Sequence, residues 1–176
     1  VAASHLWRLE HQGSNWNELM VAPVPARHVF CTKLVVVGVC MLVAFASIVA
    51  AYVACGVALG VPGSFPVGST LLYVALGWLG SLAIAALQLV VSMLVRSFAA
   101  PVGMALAGGV AGLMATIAGA GYVFPYSLMQ MGMNSNAMVS LSASNVATIV
   151  VMSVVWTAAA VAFAILRLRR HDIHAS

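Results

Sequence analysis

Charge is what this chain has least of. Asp, Glu, Lys and Arg make up only 6% of its 176 residues, against 64% hydrophobic, where soluble domains are roughly a quarter charged and about half apolar. No charged side chain interrupts residues 34–95 or residues 97–166. Each tract is far longer than the roughly 20 residues that cross a bilayer. Together they exclude a soluble domain and point to an integral membrane protein with several spans. The tracts also lack the two-residue alternation of lipid-facing and lumen-facing positions, which excludes a β-barrel. The net charge of +4 comes from seven Lys and Arg residues that sit at the ends of apolar runs, so it concerns membrane topology rather than nucleic-acid binding.

Other absences remove chemistries one by one. The three acidic residues, Glu10, Glu18 and Asp172, all lie outside the apolar tracts, so the carboxylates usual in proton relays and ion-coupled transporters are missing from the spans. There is no G-x-x-x-x-G-K-[ST] phosphate cradle: the one lysine, Lys33, stands in C-T-K-L with no glycine loop before it, so ATP hydrolysis by that route must come from another chain. His5, His11, His28, His171 and His174 are confined to the polar ends, which leaves no base beside any serine in a span and excludes an intramembrane hydrolase. Cys31, Cys40 and Cys55 have no paired spacing and no neighbouring His or carboxylate; they read as small apolar residues, not as a disulfide framework or metal site. No charged n-region precedes a short apolar core, so no signal peptide is expected, and with Val1 first the chain is expected to lack its native start.

What is present before the membrane is gathered into one polar stretch, residues 10–33. Residues 1–12 suit either an interfacial helix or the cytoplasmic end of a span lying upstream. Ser14 or Asn15 is a candidate N-cap, and Asn15 with Glu18 imitates the reciprocal capping box. A short helix over about 15–21 is expected to stop near Ala22, because Pro23 disfavours helical geometry before it and donates no backbone hydrogen bond. Pro25 suits the first turn of the next helix.

The rest is an all-α membrane bundle forming one domain over 1–176, with residues 1–25 as a cytoplasmic segment. Spans are expected at about 29–60, 67–95, 101–122 and 146–167. They are separated by the V-P-G-S-F-P turn at 61–66, by Arg96 and Pro101, and by an external loop or re-entrant helix over 123–145. Arg8, Arg27 and Lys33 precede the first span, Arg96 lies between the second and third, and Arg167, Arg169 and Arg170 end the fourth. Four spans put all seven on one face, so the positive-inside rule places both ends of this chain in the cytoplasm.

In the third span Gly108, Gly112, Thr116 and Ala120 recur every fourth residue beside the row Ala107, Ala111, Ala115 and Gly119. Such rows let helices approach closely, within the subunit or at a subunit interface. Met129, Met131, Met133 and Met138 are soft donors that could hold Cu(I), but an amphipathic external helix dipping into the membrane face, with Met as flexible apolar filler, explains them without a ligand; no metal site is assigned. Tyr122, Phe124 and Tyr126 fit an outer aromatic belt, and Trp78 and Trp156 fit packing within spans.

The polar stretch resembles the permease subunits of type-2 ABC exporters, and within them the lantibiotic-immunity type. Glu10, Asn15-Trp16, Leu19, Pro23, Arg27 and Lys33 carry the likeness: an acidic residue, a short tryptophan-bearing helix, a proline, and a basic start to the next span. Asn17 departs from the pattern, standing where a basic residue is common. The resemblance implies six spans with a coupling helix between the second and third and an external hairpin or re-entrant segment between the fifth and sixth, so that this chain holds the last four spans and the first two lie upstream. It implies a multi-pass protein of the bacterial cytoplasmic membrane that pairs with a second permease. A separate ATPase subunit would bind ATP and Mg and dock on Asn15, Trp16, Asn17, Glu18, Leu19 and Met20. Glu10, Arg27 and Lys33 would mark the cytoplasmic membrane entry, and the cargo would be a hydrophobic or amphipathic antimicrobial. Trp16, Leu19 and Met20 are apolar anchors of the kind that dominate interfaces. The alternatives are a Trp16 that only anchors at the inner membrane surface, a non-transport assembly or sensor subunit using residues 167–176, and a copper-related permease using the methionines.

Overall fold

The computed structural model describes residues 2–11, 25–61, 63, 65–95, 97–134 and 140–172, without the side chains of 8–11, 26 and 169–172. The described residues hold six helices: α1 (Ala2–His11), α2 (Ala26–Ala58), α3 (Val67–Leu94), α4 (Ala99–Ile117), α5 (Leu128–Met133) and α6 (Ala143–Asp172). There is no strand among the described residues. Four helices, α2, α3, α4 and α6, are long and apolar enough to cross a membrane.

The central helix is α3, with 56% of its most apolar window buried. It is packed by α1, α2, α5 and α6. Its buried positions are mostly small: Gly77, Gly80, Ser81, Ala83, Ala85, Ala86 and Ser92. In lipid there is no hydrophobic drive to bring helices together, so close packing at small residues has to supply the attraction. Helix α2 runs antiparallel to it: Phe30 meets Leu89 in one buried cluster, a side chain at Gly38 would strike Leu82, and one at Gly77 would touch Phe45. The Trp78 indole donates to the Gly38 carbonyl at 2.9 Å.

Local chemistry sets the helix ends. Leu59 closes α2, and Gly60 follows at φ +64. The amides of Gly60 and Val61 return to the carbonyls of Val57 and Gly56 at 3.1 and 3.0 Å, which is a Schellman closure. Helix α4 ends by the same device: Gly119 lies at φ +79, and the amides of Gly119 and Ala120 return to Thr116 and Ala115 at 3.1 and 2.8 Å. The third long helix therefore stops at Ile117, short of the expected 122, and residues 118–127 form turns. Helix α6 starts at Ala143 rather than 146 because the Ser142 hydroxyl accepts from the Asn145 amide at 3.2 Å, an N-cap. At its other end it carries Arg167 on through Asp172.

Candidate functional site

The start of α2 and the ends of α3 and α6 converge with α1 at one end of the bundle. This end carries Arg27, Lys33 and Arg167, and Arg96 follows α3 directly in the chain. Ala3, Trp7, Phe30, Leu89, Met93, Ala164 and Leu168 form a buried cluster there, lined further by Leu6, Val29, Leu34, Val90 and Val161. Trp7 and Phe30 are fully buried. Positions 3 and 7 are one helical turn apart on the same face of α1, so α1 enters the bundle along that face. The Ser4 and Ser92 hydroxyls meet at 3.4 Å.

Lys33 locks the junction between α1 and α2. Its ammonium donates to the Leu6 carbonyl and lies 4.7 Å from the centre of the Trp7 ring. The charge is thereby shared between a helix carbonyl and an aromatic face, a cation–π contact of roughly 0.5–2 kcal/mol depending on desolvation. Arg27 and His28, on the first turn of the same helix, are exposed. Residues 12–24, with the predicted docking set Asn15, Trp16, Asn17, Glu18, Leu19 and Met20, lie outside the described residues, as does the Glu10 side chain. What the geometry gives is their frame: the two helices that enter and leave this stretch are pinned to each other within one buried cluster.

A second polar arrangement lies within the bundle. Residues 118–134 fold back between α3, α4 and α6. A side chain at Gly80 would meet the Leu128 and Met129 backbone at 2.6 Å, one at Gly132 would meet Leu76 at 2.7 Å, and one at Gly77 would meet Met133 at 2.5 Å. The predicted packing glycines of α4 face this segment: a side chain at Gly108 would fall on the Tyr126 ring at 2.5 Å, and one at Gly112 on the Tyr126 backbone at 2.9 Å. Thr116 donates its hydroxyl to the Gly112 carbonyl at 3.0 Å. The companion row turns outward, with Ala107 and Ala111 exposed. Of the methionines, Met131 packs its sulfur toward Gly121 and Met133 toward Gly77, while Met138 is outside the described residues.

Tyr126 is not part of an aromatic belt at a helix end. Its ring lies against the middle of α4, and its hydroxyl accepts a 2.6 Å hydrogen bond from the Gln88 side-chain amide. Tyr122 does sit near the start of α6, where its hydroxyl accepts from Asn145 at 3.1 Å. Ser127, fully buried, donates toward the Gly121 and Phe124 carbonyls at 2.7 and 2.9 Å, and the Trp156 indole donates to the Val123 carbonyl at 2.9 Å. Nothing in the order of residues singles out Gln88. Its signal is a lone amide in an uncharged span, legible only once its partner is known.

The family model described as ABC-2 family transporter protein matches residues 1–112, that is, α1, α2, α3 and most of α4. No curated protein and no solved structure matches the chain. The match covers more than half of the chain and takes in the α1, α2 and α3 parts of the basic end: this chain belongs to the ABC-2 family of transporter proteins.

Proposed function

We propose that the chain is the membrane-spanning permease subunit of a bacterial ABC exporter, driven by a separate ATPase and moving a hydrophobic or amphipathic antimicrobial, such as a lantibiotic-like peptide, out of the membrane. The observation that carries this reading is the pinning of α1 to α2 through Trp7, Phe30 and Lys33. Because α1 and α2 are clamped together on either side of residues 12–24, a push delivered there moves α2 and, through the shared cluster, α3. The spans hold no carboxylate, so the drive has to enter from outside them, and this attachment is where it enters.

In this reading Asn15, Trp16, Asn17, Glu18, Leu19 and Met20 form the coupling helix that sits in a groove of the ATPase, with Trp16, Leu19 and Met20 as apolar anchors. Glu10, Arg27 and Lys33 flank it at the membrane entry. ATP and Mg are held by the partner, and a second permease, identical or not, completes the pathway. Nucleotide shifts the population of two membrane states by binding one better than the other. The cargo assignment follows from apolar helix faces that suit a membrane-partitioned molecule better than a sugar or an ion.

The test is Trp16→Ala in the permease co-expressed with its ABC ATPase partner. Loss of co-purification and of cargo-stimulated ATP hydrolysis, with the permease still inserted, is the expected result. An unchanged complex with unchanged stimulation sinks the coupling role. Cells lacking the chain that stay as resistant as the parent to every lantibiotic tried would remove the antimicrobial assignment and leave the transporter reading standing.

A further inference from the structure

We propose that Tyr126 is a latch that holds α4 against the bundle, and that α4 is a swinging arm released when this ring leaves its notch. Helix α4 is the least embedded of the long helices: 11% of its apolar window is buried, against 56% for α3. Its first turn is seated directly, with Pro101 buried and the Phe98 ring against His5 of α1; farther along, its attachment is indirect. Gly108 and Gly112 receive the Tyr126 ring and backbone, and the Tyr126 hydroxyl is in turn held by Gln88 of α3. One side chain thus bridges the two helices, seated by absence of bulk on one and by a hydrogen bond on the other.

The arm pivots on its seated first turn, and the chain at both ends of α4 leaves the helical path. At one end Val95 is extended, at φ −114 and ψ 117, and separates the two helices. At the other, Gly119 holds a left-handed conformation at φ +79, and the space where a Cβ would stand is open to 4 Å. Leaving the bundle costs α4 no hydrophobic stabilisation, because lipid is as apolar as the faces it would lose. What opposes the swing beyond the seated first turn is the shape match at Gly108 and Gly112 and the hydrogen bond to Gln88, and the swing uncovers that amide between α3 and α4.

Spin-label distance measurements on the full chain in lipid nanodiscs test it, with Cys31, Cys40 and Cys55 replaced by serine. One pair reports the arm, Leu71→Cys on α3 with Leu106→Cys on α4; a control pair, Val43→Cys on α2 with Val154→Cys on α6, reports the bundle. All four positions are exposed. Tyr126→Ala should add an arm-pair population displaced by about 5 Å or more, the scale of a one-turn helix shift, while the control distance stays fixed. Gly108→Ala, which pushes the ring from its notch without touching Tyr126, should do the same, and Tyr126→Phe should give a smaller displaced fraction. An arm-pair distribution that both Tyr126→Ala and Gly108→Ala leave unchanged overturns the latch. So does a control distance that moves with it, since Tyr126 would then be ordinary core packing. Should Tyr126→Ala fail to insert, Gly108→Ala decides alone.

Discussion

Gly80 has no room for a methyl group: a Cβ built there lies 2.6 Å from the Leu128 carbonyl carbon and the Met129 nitrogen, backbone atoms that cannot rotate aside. Gly109, on α4, has nothing within 4 Å. The two glycines are alike in sequence terms, each beside another small residue in an apolar span, and differ only in what the fold brings to them. Gly80→Ala should therefore cost about 1–3 kcal/mol, the usual range for overpacking a close contact, read as a lowered melting temperature of the purified protein in mild detergent. Gly109→Ala should leave melting unchanged or raise it slightly, because alanine is the better helix former. Equal melting temperatures for the two variants would mean that residues 128–133 do not seat against α3. Lys33 makes a related point about charge. Its position at a span entry is legible in the sequence, but its engagement with the Leu6 carbonyl and the Trp7 ring is not, since nothing in the order of residues brings α1 beside α2.

At the scale of elements, long uncharged tracts make the four apolar helices readable, and hydropathy fails where a helix ends inside apolar sequence. The stretch A-G-A-G-Y at 118–122 is as apolar as the helix before it, so only backbone geometry marks Ile117 as the last helical residue. Gly119 at φ +79 supplies that geometry. Gly119→Ala should cost about 1–2 kcal/mol, the penalty of a left-handed conformation for an L-residue, with no steric part because the space around it is open. Its check is the melting temperature beside that of Gly103→Ala on the same helix, which also meets nothing within 4 Å but is not at positive φ; a Gly119→Ala protein as stable as Gly103→Ala would refute the Schellman closure as the stop. The start of α6 carries a readable signal, Ser142 three residues before Asn145, that hydropathy alone passes over. The re-entrant packing of 118–134 is not readable at all. Gly77 and Gly80 on α3 and Gly132 on the other side become a docking surface only through long-range contact, and in sequence they are indistinguishable from small residues facing lipid.

Across the whole molecule, basic residues and uncharged turns sort to opposite ends. The cluster of Trp7, Phe30, Leu89, Met93, Ala164 and Leu168 gathers one end of α2, α3 and α6, and with it Arg27, Lys33 and Arg167; the far end carries the turn at 59–66 and the start of α6, with no charged residue in either. This one-sided distribution fits four helices long and apolar enough to cross that alternate in direction, and the preference of Lys and Arg for the cytoplasmic side then favours an orientation with the basic end inside. The coupling proposal requires that orientation, because ATP is available only there. Single cysteines in a chain cleared of Cys31, Cys40 and Cys55 test it, at positions that are exposed: Val61 and Ser140 at the far end, His28 at the basic end. A membrane-impermeant maleimide applied to intact cells should label Val61→Cys and Ser140→Cys, and should reach His28→Cys only after the membrane is permeabilised. The reverse pattern would place residues 12–24 outside the cell, beyond reach of any ATPase. Labelling of Val61→Cys without Ser140→Cys would mean that the number of crossings between them is odd, and that α4 does not span the membrane as its length and composition allow.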